Sequence, residues 1–173
     1  MNVSWGVPFQ WANEIFTFTG GAGSASFTWA TANMAMYIPL YVRCPIQVRG
    51  FYTINGATAS GNTDIGIYTE GGTKIISTGS TAQAGTSVPQ NFVLTTSQFT
   101  GLSRGRYYLG VAHSDTTGTF SGFNTANTEL ARMLGCRLQL TALPLPATAT
   151  FATLGTAAPK LPIVGINTSG IAL

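Results

Sequence analysis

The sequence predicts an all-β protein, an antiparallel β-sandwich of jelly-roll type with an extended arm at each end. Its regular segments are dominated by Thr, Val, Ile, Tyr and Phe and are separated by Gly, Asn and Ser, which is typical of strands joined by turns. About eight such segments follow one another at short spacing with almost no helical periodicity, as in sandwiches and jelly rolls. The 173 residues, 45% of them hydrophobic, suffice for one domain with a sizeable core.

Two segments carry the clearest strand pattern. Met34–Val42 alternates with a period of two and predicts one apolar face, made of Met34, Met36, Ile38, Leu40 and Val42. Pro39 within it predicts a sheet edge or a bulge, because proline cannot donate to a strand ladder. In Gly105–His113, the clearest core strand, we expect one side to consist of Tyr107, Leu109 and Val111.

The remaining elements follow from shorter signals. Further strands are predicted at 25–30, 46–54, 62–69, 74–78, 90–96, 120–123 and 136–142. Asn55 and Gly56 indicate a turn, and the Gly pair at 71–72 predicts a hairpin between the strands on either side. The only helix-like segment is 127–134, where apolar residues recur at helical spacing.

The chain ends are expected to be arms that leave the sandwich. We divide the chain into an N-terminal arm at 1–24, a sandwich domain at 25–142 and a C-terminal arm at 143–173, which four prolines keep extended. Both arms carry large apolar residues and few charges. The predicted interface residues are Trp5, Phe9, Trp11, Leu161, Ile163, Val164 and Ile166.

The low charge content of the chain suggests assembly. It has eight Lys or Arg residues and five Asp or Glu residues, so 8% of its residues are charged, against about 25% in an average protein. A monomer normally keeps a mixed charged surface, so we expect part of this surface to contact other chains. The alternative is a Thr- and Ser-rich surface that is polar without charge. The bases form no run, which argues against nucleic acid, and no apolar stretch is long enough for a membrane helix.

The two cysteines, Cys44 and Cys136, lack metal-site spacing. Residues 1–13 show no signal-peptide pattern, so a reducing compartment and free thiols are expected, with a disulfide as the alternative.

Few side chains could carry chemistry. His113, Ser114 and Asp115 have a catalytic composition, but neighbouring strand residues point to opposite faces, so a strand end running into a turn is the preferred interpretation. Asp64 and Glu70 flank one hairpin, and surface solvation explains them better than a paired-carboxylate site. No catalytic residue, metal site or cofactor is predicted. Exposed aromatic residues could instead stack on sugars, the candidates being Trp5, Trp11, Trp29, Tyr37, Tyr41 and Tyr108.

Residues 61–112 resemble a known class of proteins. The stretch GNTDIGIYTEGGTKIISTGSTAQAGTS from Gly61, followed by GLSRGRYYLGVA from Gly101, resembles small β-sandwich structural proteins of tailed bacteriophages. These include capsid decoration (cement) proteins and the heads of short tail fibres. The shared pattern is a strand with D-x-G-I-Y, a Gly-Gly turn and a later G-R-Y-Y-L.

The resemblance implies a virion structural protein, not an enzyme, that is assembled in the host cytoplasm. The expected role is capsid decoration, in which the protein bridges neighbouring subunits and stabilises the head. The expected partners are the major capsid protein and copies of the chain itself, as a homotrimer, with no nucleic acid and no membrane. The alternatives are a tail or fibre component that binds host glycans and a carbohydrate-binding module.

Overall fold

The structure, a computed structural model, describes residues 25–122, 131–154 and 160–170. It confirms the predicted fold class, because the sheets are antiparallel and form an all-β sandwich. Jelly-roll connectivity stays a prediction.

Thirteen strands and one short 3-10 helix lie in the described part of the chain. They are β1 (Ala25–Thr28), β2 (Met34–Val42), β3 (Ile46–Ile54), β4 (Asn62–Thr69), β5 (Lys74–Ser77), β6 (Thr81–Ala82), β7 (Pro89–Val93), the 3-10 helix (Thr96–Gln98), β8 (Thr100–Leu102), β9 (Gly105–His113), β10 (Thr119–Gly122), β11 (Arg137–Gln139), β12 (Ala152–Thr153) and β13 (Val164–Gly170).

The strands form two large sheets and one small sheet. The seven-stranded sheet has the order β12-β11-β2-β9-β4-β5, with β6 also paired to β4. The four-stranded sheet has the order β13-β3-β7, with β8 also paired to β3. β1 and β10 form the small sheet, which bridges to the end of β3 at Asn55 and to Pro162 just before β13.

The core between the large sheets confirms the period-two pattern. All five predicted apolar residues of β2 are buried in it, as are Leu109 and Val111 of β9, while Tyr107 is half-buried against it. From β3 come Ile46, Val48 and Phe51. Pro39 lies where β2 is an edge, because the pairing of β11 with β2 stops at Tyr37.

The outer face of the seven-stranded sheet is covered by residues 142–154, which we call the strap. Tyr37, Tyr68 and Ala112 form a second apolar cluster with Ala142 and Leu145 of the strap. The alternation in β2 predicted one apolar face and gave no sign that the other face is covered as well, although an antiparallel sheet usually leaves that face to solvent. The cover comes from a distant part of the same chain.

The structure also corrects the expected C-terminal arm in its described part. The strap lies on the sheet, and β13 pairs with β3 from Val164 to Gly170. Leu161, Val164 and Ile166, predicted as interface residues, are buried in the chain's own core, and Ile163 is half-buried. These side chains are in the core because β13 pairs with β3 and packs its apolar residues against the other core residues. The predicted N-terminal arm at 1–24, with Trp5, Phe9 and Trp11, lies outside the described residues.

Three smaller predictions have different outcomes. Asn55 and Gly56 do not form a hairpin turn, because the strands on either side of them, β3 and β4, belong to different sheets. Half of the predicted helix at 127–134 lies outside the described residues, and 131–133 are helical. Cys44 and Cys136 are both free, as expected, and burial raises the pKa of Cys136 to about 12.

We predict that Leu109→Ala destabilises the protein by about 2–5 kcal/mol, since a fully buried leucine leaves a cavity. The control is Val93→Ala on β7, where the side chain is 80% exposed and a change within about 0.5 kcal/mol is expected. Urea unfolding measures both. Equal losses for the two variants would place Leu109 outside the core.

We also predict that deletion of residues 161–173 prevents folding. The truncation removes Leu161, Val164 and Ile166 from the core and leaves β3 without its β13 neighbour. Circular dichroism and size-exclusion chromatography should show loss of cooperative unfolding and aggregation, whereas the full-length chain remains folded. A truncated protein that stays soluble and unfolds cooperatively would instead support a dispensable arm.

Candidate functional site

His113 is fully buried at the end of β9 and makes two hydrogen bonds. Its Nε2 lies 3.2 Å from Asp115 Oδ1, and its Nδ1 lies 3.1 Å from Thr63 Oγ1. Burial lowers the pKa of His113, although Asp115 partly raises it, so the ring is neutral at pH 7. Because an ionised carboxylate can only accept, Nε2 carries the proton and donates to Asp115, and Nδ1 accepts from the Thr63 hydroxyl.

Asp115 ties together the loops at this end of the sandwich. Its Oδ1 accepts from the backbone N–H groups of Thr117 and Gly118, and its Oδ2 accepts from the Ser60 hydroxyl at 2.8 Å. Burial raises the pKa of Asp115, but these hydrogen bonds outweigh it and hold the pKa at about 2. The carboxylate is therefore ionised, and both of its oxygens accept hydrogen bonds that hold the loops.

The His113 cluster has the composition of a relay, and its surroundings favour a structural role. The Ser114 hydroxyl accepts from the backbone N–H of Asn62, and in the described part of the chain it makes no hydrogen bond with His113. A Cβ at Gly118 would lie 2.5 Å from His113 Nε2, so the loop backbone seals the ring on that side. Phe120 packs edge-on against the ring at 5.0 Å. No face of the imidazole is open to a substrate.

Asp64 is fully buried, and it holds the strap. Its Oδ2 accepts from the backbone N–H of Leu145 at 2.9 Å, and its Oδ1 accepts from the Thr78 hydroxyl at 3.1 Å. Lys74 Nζ donates to the Leu145 carbonyl at 2.6 Å. Burial raises the pKa of Asp64, and the Leu145 N–H is the largest influence that lowers it. Asp64 thus anchors the strap, whereas Glu70 is exposed, so the two acids form no catalytic pair.

An open groove of about 340 Å³ lies at the end of the seven-stranded sheet, beyond the point where the pairing of β11 with β2 stops. Its walls include Pro39, Tyr41, Glu70, Arg106, Tyr108 and Arg137. Tyr41 is 52% exposed, and one side of Tyr108 is covered by Phe151 at 4.6 Å between ring centres. Of the aromatic candidates from the sequence, Tyr41 and Tyr108 line this groove, whereas Tyr37 and Trp29 are buried.

Arginines gather around Tyr41. Arg104 Nε donates to the Tyr41 hydroxyl at 3.3 Å, and Arg106 lies opposite Tyr41 in the β2–β9 pairing. The hydrogen bond and charge of Arg104 lower the pKa of Tyr41, with smaller effects from Arg43 and Arg106. Arg106 also lies 3.7 Å from Glu70, but both side chains are well exposed, so this ion pair contributes little stability.

The outer face of the four-stranded sheet has a different character. Its outward residues on β3 are exposed or half-buried, and Arg49 is their only charge; they are Gln47, Arg49, Tyr52 and Ile54. On the neighbouring β7, Pro89, Asn91 and Val93 are exposed. The Tyr52 ring lies against Gly165 of β13, in the space that a Cβ there would fill. The strap lies on the other sheet, and no other described segment covers this face in the same way.

Two classes of site find no support in the described ranges. Within residues 25–122, 131–154 and 160–170, no group of three or more His, Cys, Asp or Glu side chains could hold a metal ion. In the same part of the chain, no helix has the length and apolar character to cross a bilayer.

Sequence reasoning missed the groove and the strap. It treated the bases as scattered, since Arg43, the pair Arg104 and Arg106, and Arg137 are far apart along the chain. The pairing of β9 with β2 and of β11 with β2 brings them to one end of one sheet. The available signal was local alternation, which puts Tyr41 and Arg43 on one face, but it could not supply the register between strands.

Comparison of the chain with protein-family models, with curated proteins and with solved structures found no match. Its function is therefore inferred from its own residues and their geometry.

We predict a pH dependence of stability that belongs to His113. Because the pKa of His113 is lowered in the folded protein, the unfolded chain takes up the proton first, and stability falls as the pH drops below about 6.5. The slope cannot exceed about 1.4 kcal/mol per pH unit for one proton. His113 is the only histidine, so His113→Asn should abolish the fall between about pH 7 and pH 5.5.

Urea unfolding at a series of pH values measures this slope separately from the absolute stability of the variant. Asp64 acts with the opposite sign, since its raised pKa makes stability increase as the pH falls through it. A variant that retains the full acid-side loss of the wild type would show that another group is responsible.

Proposed function

We propose that the protein is a virion structural protein, specifically a capsid decoration or cement protein that bridges neighbouring subunits of a phage head. Its partners would be the major capsid protein and further copies of the chain, in a homotrimer assembled in the host cytoplasm. The resemblance of residues 61–112 to phage β-sandwich proteins supports this proposal. The low charge of the whole chain supports it independently.

The observation that carries the proposal is the outer face of the four-stranded sheet. It presents Val93, Ile54 and Tyr52 with Arg49 as the one charge among its outward residues on β3 and β7. Cores of protein interfaces are depleted in charge and enriched in aromatic residues. A cement protein needs such a face, because it adds contact area across subunit joints without chemistry.

The buried polar groups favour a structural role over a catalytic one. His113, Asp115 and Asp64 all hold loops or the strap through hydrogen bonds with protein partners. His113 and Asp64 are fully buried, so neither is open to a substrate in the way that a general acid or base requires, and Asp115 is occupied by hydrogen bonds from the loop backbone. These contacts fix the loops and the strap, which suits a protein that holds neighbouring subunits in place.

We predict that Val93→Glu removes the protein from particles without unfolding it. Val93 is 80% exposed in the free chain, so the carboxylate is tolerated there, but burying it unpaired in a subunit contact costs about 1–3 kcal/mol or more. Occupancy should therefore fall at least about tenfold at subsaturating protein. Ser80→Glu, an exposed position beyond β5 on the other sheet, is the matched control. Equal occupancy for both variants would contradict a contact through this face.

Particles with and without the protein distinguish cement from host adhesion. Particles that lack a cement protein should release their genome at a lower temperature and under osmotic shock, with normal adsorption to the host. Thermal release and adsorption are measured on the same preparations. Unchanged genome release together with lost adsorption would contradict the cement role and support the host-adhesion alternative.

A further inference from the structure

The end of the seven-stranded sheet carries a concentration of positive charge. Of the eight basic residues in the chain, four lie around the groove: Arg43, Arg104, Arg106 and Arg137. Among the described residues that line the groove, Glu70 is the only acid. Asp64 and Asp115 belong to the far half of the sheet, since Asp64 pairs with Ala112 and Asp115 follows the end of β9. The groove is therefore electropositive within a chain that is otherwise poor in charge.

The groove also offers a stacking surface. Tyr41 is half-exposed beside Pro39 and Tyr108, and Arg104 fixes its hydroxyl by donating to the phenol oxygen. That bond leaves the phenol proton free to donate to a ligand. A tyrosine ring with an apolar neighbour and a polar edge is suited to the face and the hydroxyl rim of a sugar ring.

Charge and shape together select the ligand class. Arginine binds carboxylates through two parallel hydrogen bonds, and Arg106 is well exposed. Glu70, 3.7 Å from Arg106, can only accept, so it favours a ligand that also carries hydroxyl donors. A plain acidic peptide or a phosphate would leave the Glu70 carboxylate facing another anion. The volume of about 340 Å³ is at the small end of ligand sites, which suits one or two sugar units.

We infer that the groove between Tyr41, Arg106 and Arg137 is a binding site for a carboxylate-bearing saccharide. The sugar stacks on Tyr41, its carboxylate pairs with Arg106 or Arg137, and its hydroxyls donate to Glu70. This site is separate from the outer face of the four-stranded sheet, because the groove lies on the other sheet. A decoration protein that keeps both surfaces could attach to a particle through one and hold an acidic glycan in the other.

The probes are an oligogalacturonate and sialyllactose, each compared with its uncharged partner, the methyl-esterified oligogalacturonate and lactose. Isothermal titration calorimetry with the full chain should detect binding of at least one acidic probe, at least about tenfold tighter than its uncharged partner. Raising the salt concentration should weaken it, because the groove is open to solvent. Binding of neither acidic probe at millimolar concentration, or equal binding of the uncharged partner, overturns the inference.

Variants locate the site. Tyr41→Ala and Arg106→Gln should each reduce the affinity at least tenfold, whereas Arg49→Gln, an exposed arginine on the other sheet, should leave it unchanged. Both groove residues are exposed, so each variant should keep the unfolding transition of the wild type. An equal loss with Arg49→Gln would indicate general electrostatic attraction and contradict the site. Hexaglutamate that binds as tightly as the acidic sugar would assign the groove to acidic peptides instead.

Discussion

Burial of the central strands β2, β9 and β4 on both faces is the constraint on which the rest of the structure depends. Antiparallel sheets usually leave one face to solvent, but here the outer face carries Tyr37 and Tyr68, which meet edge-on at 5.1 Å. If that cluster stayed in water, the protein would lose the free energy that burial of large aromatic side chains provides. The strap covers it, and its backbone is satisfied by the Asp64 carboxylate, Lys74 Nζ and the Tyr68 hydroxyl. The central strands of the seven-stranded sheet are therefore covered on both faces.

The few charges of the chain divide into two groups by what they contact. Asp64, Lys74 and Asp115 are bound to backbone groups, which a buried segment or a tight loop would otherwise leave unpaired. The arginines around Tyr41 have no comparable task in the fold. Arg106, for example, forms an ion pair with the exposed Glu70. These arginines are therefore available to bind a ligand.

The two exposed surfaces are chemically different, and in the described residues the strap lies on one of the two large sheets. The four-stranded sheet keeps a nearly uncharged outer face, which suits permanent contact with another chain. The groove at the end of the seven-stranded sheet has arginines and an exposed tyrosine ring, which suits a small polar ligand. The position of the strap thus separates a surface suited to contact with another chain from a surface suited to a small ligand.

The sequence by itself determined the all-β class, most strand positions, and the inner faces of β2 and β9, because side chains in a strand alternate and the apolar ones face the core. It determined neither the second core nor the fate of the C-terminal tail. An apolar tail with prolines has the same composition whether it contacts another chain or its own, and only the tertiary structure placed Leu145 over Tyr68 and Ile166 beside β3. The register of β2, β9 and β11, which gathers the arginines, was likewise undetermined, since pairing between distant strands depends on the whole core packing at once.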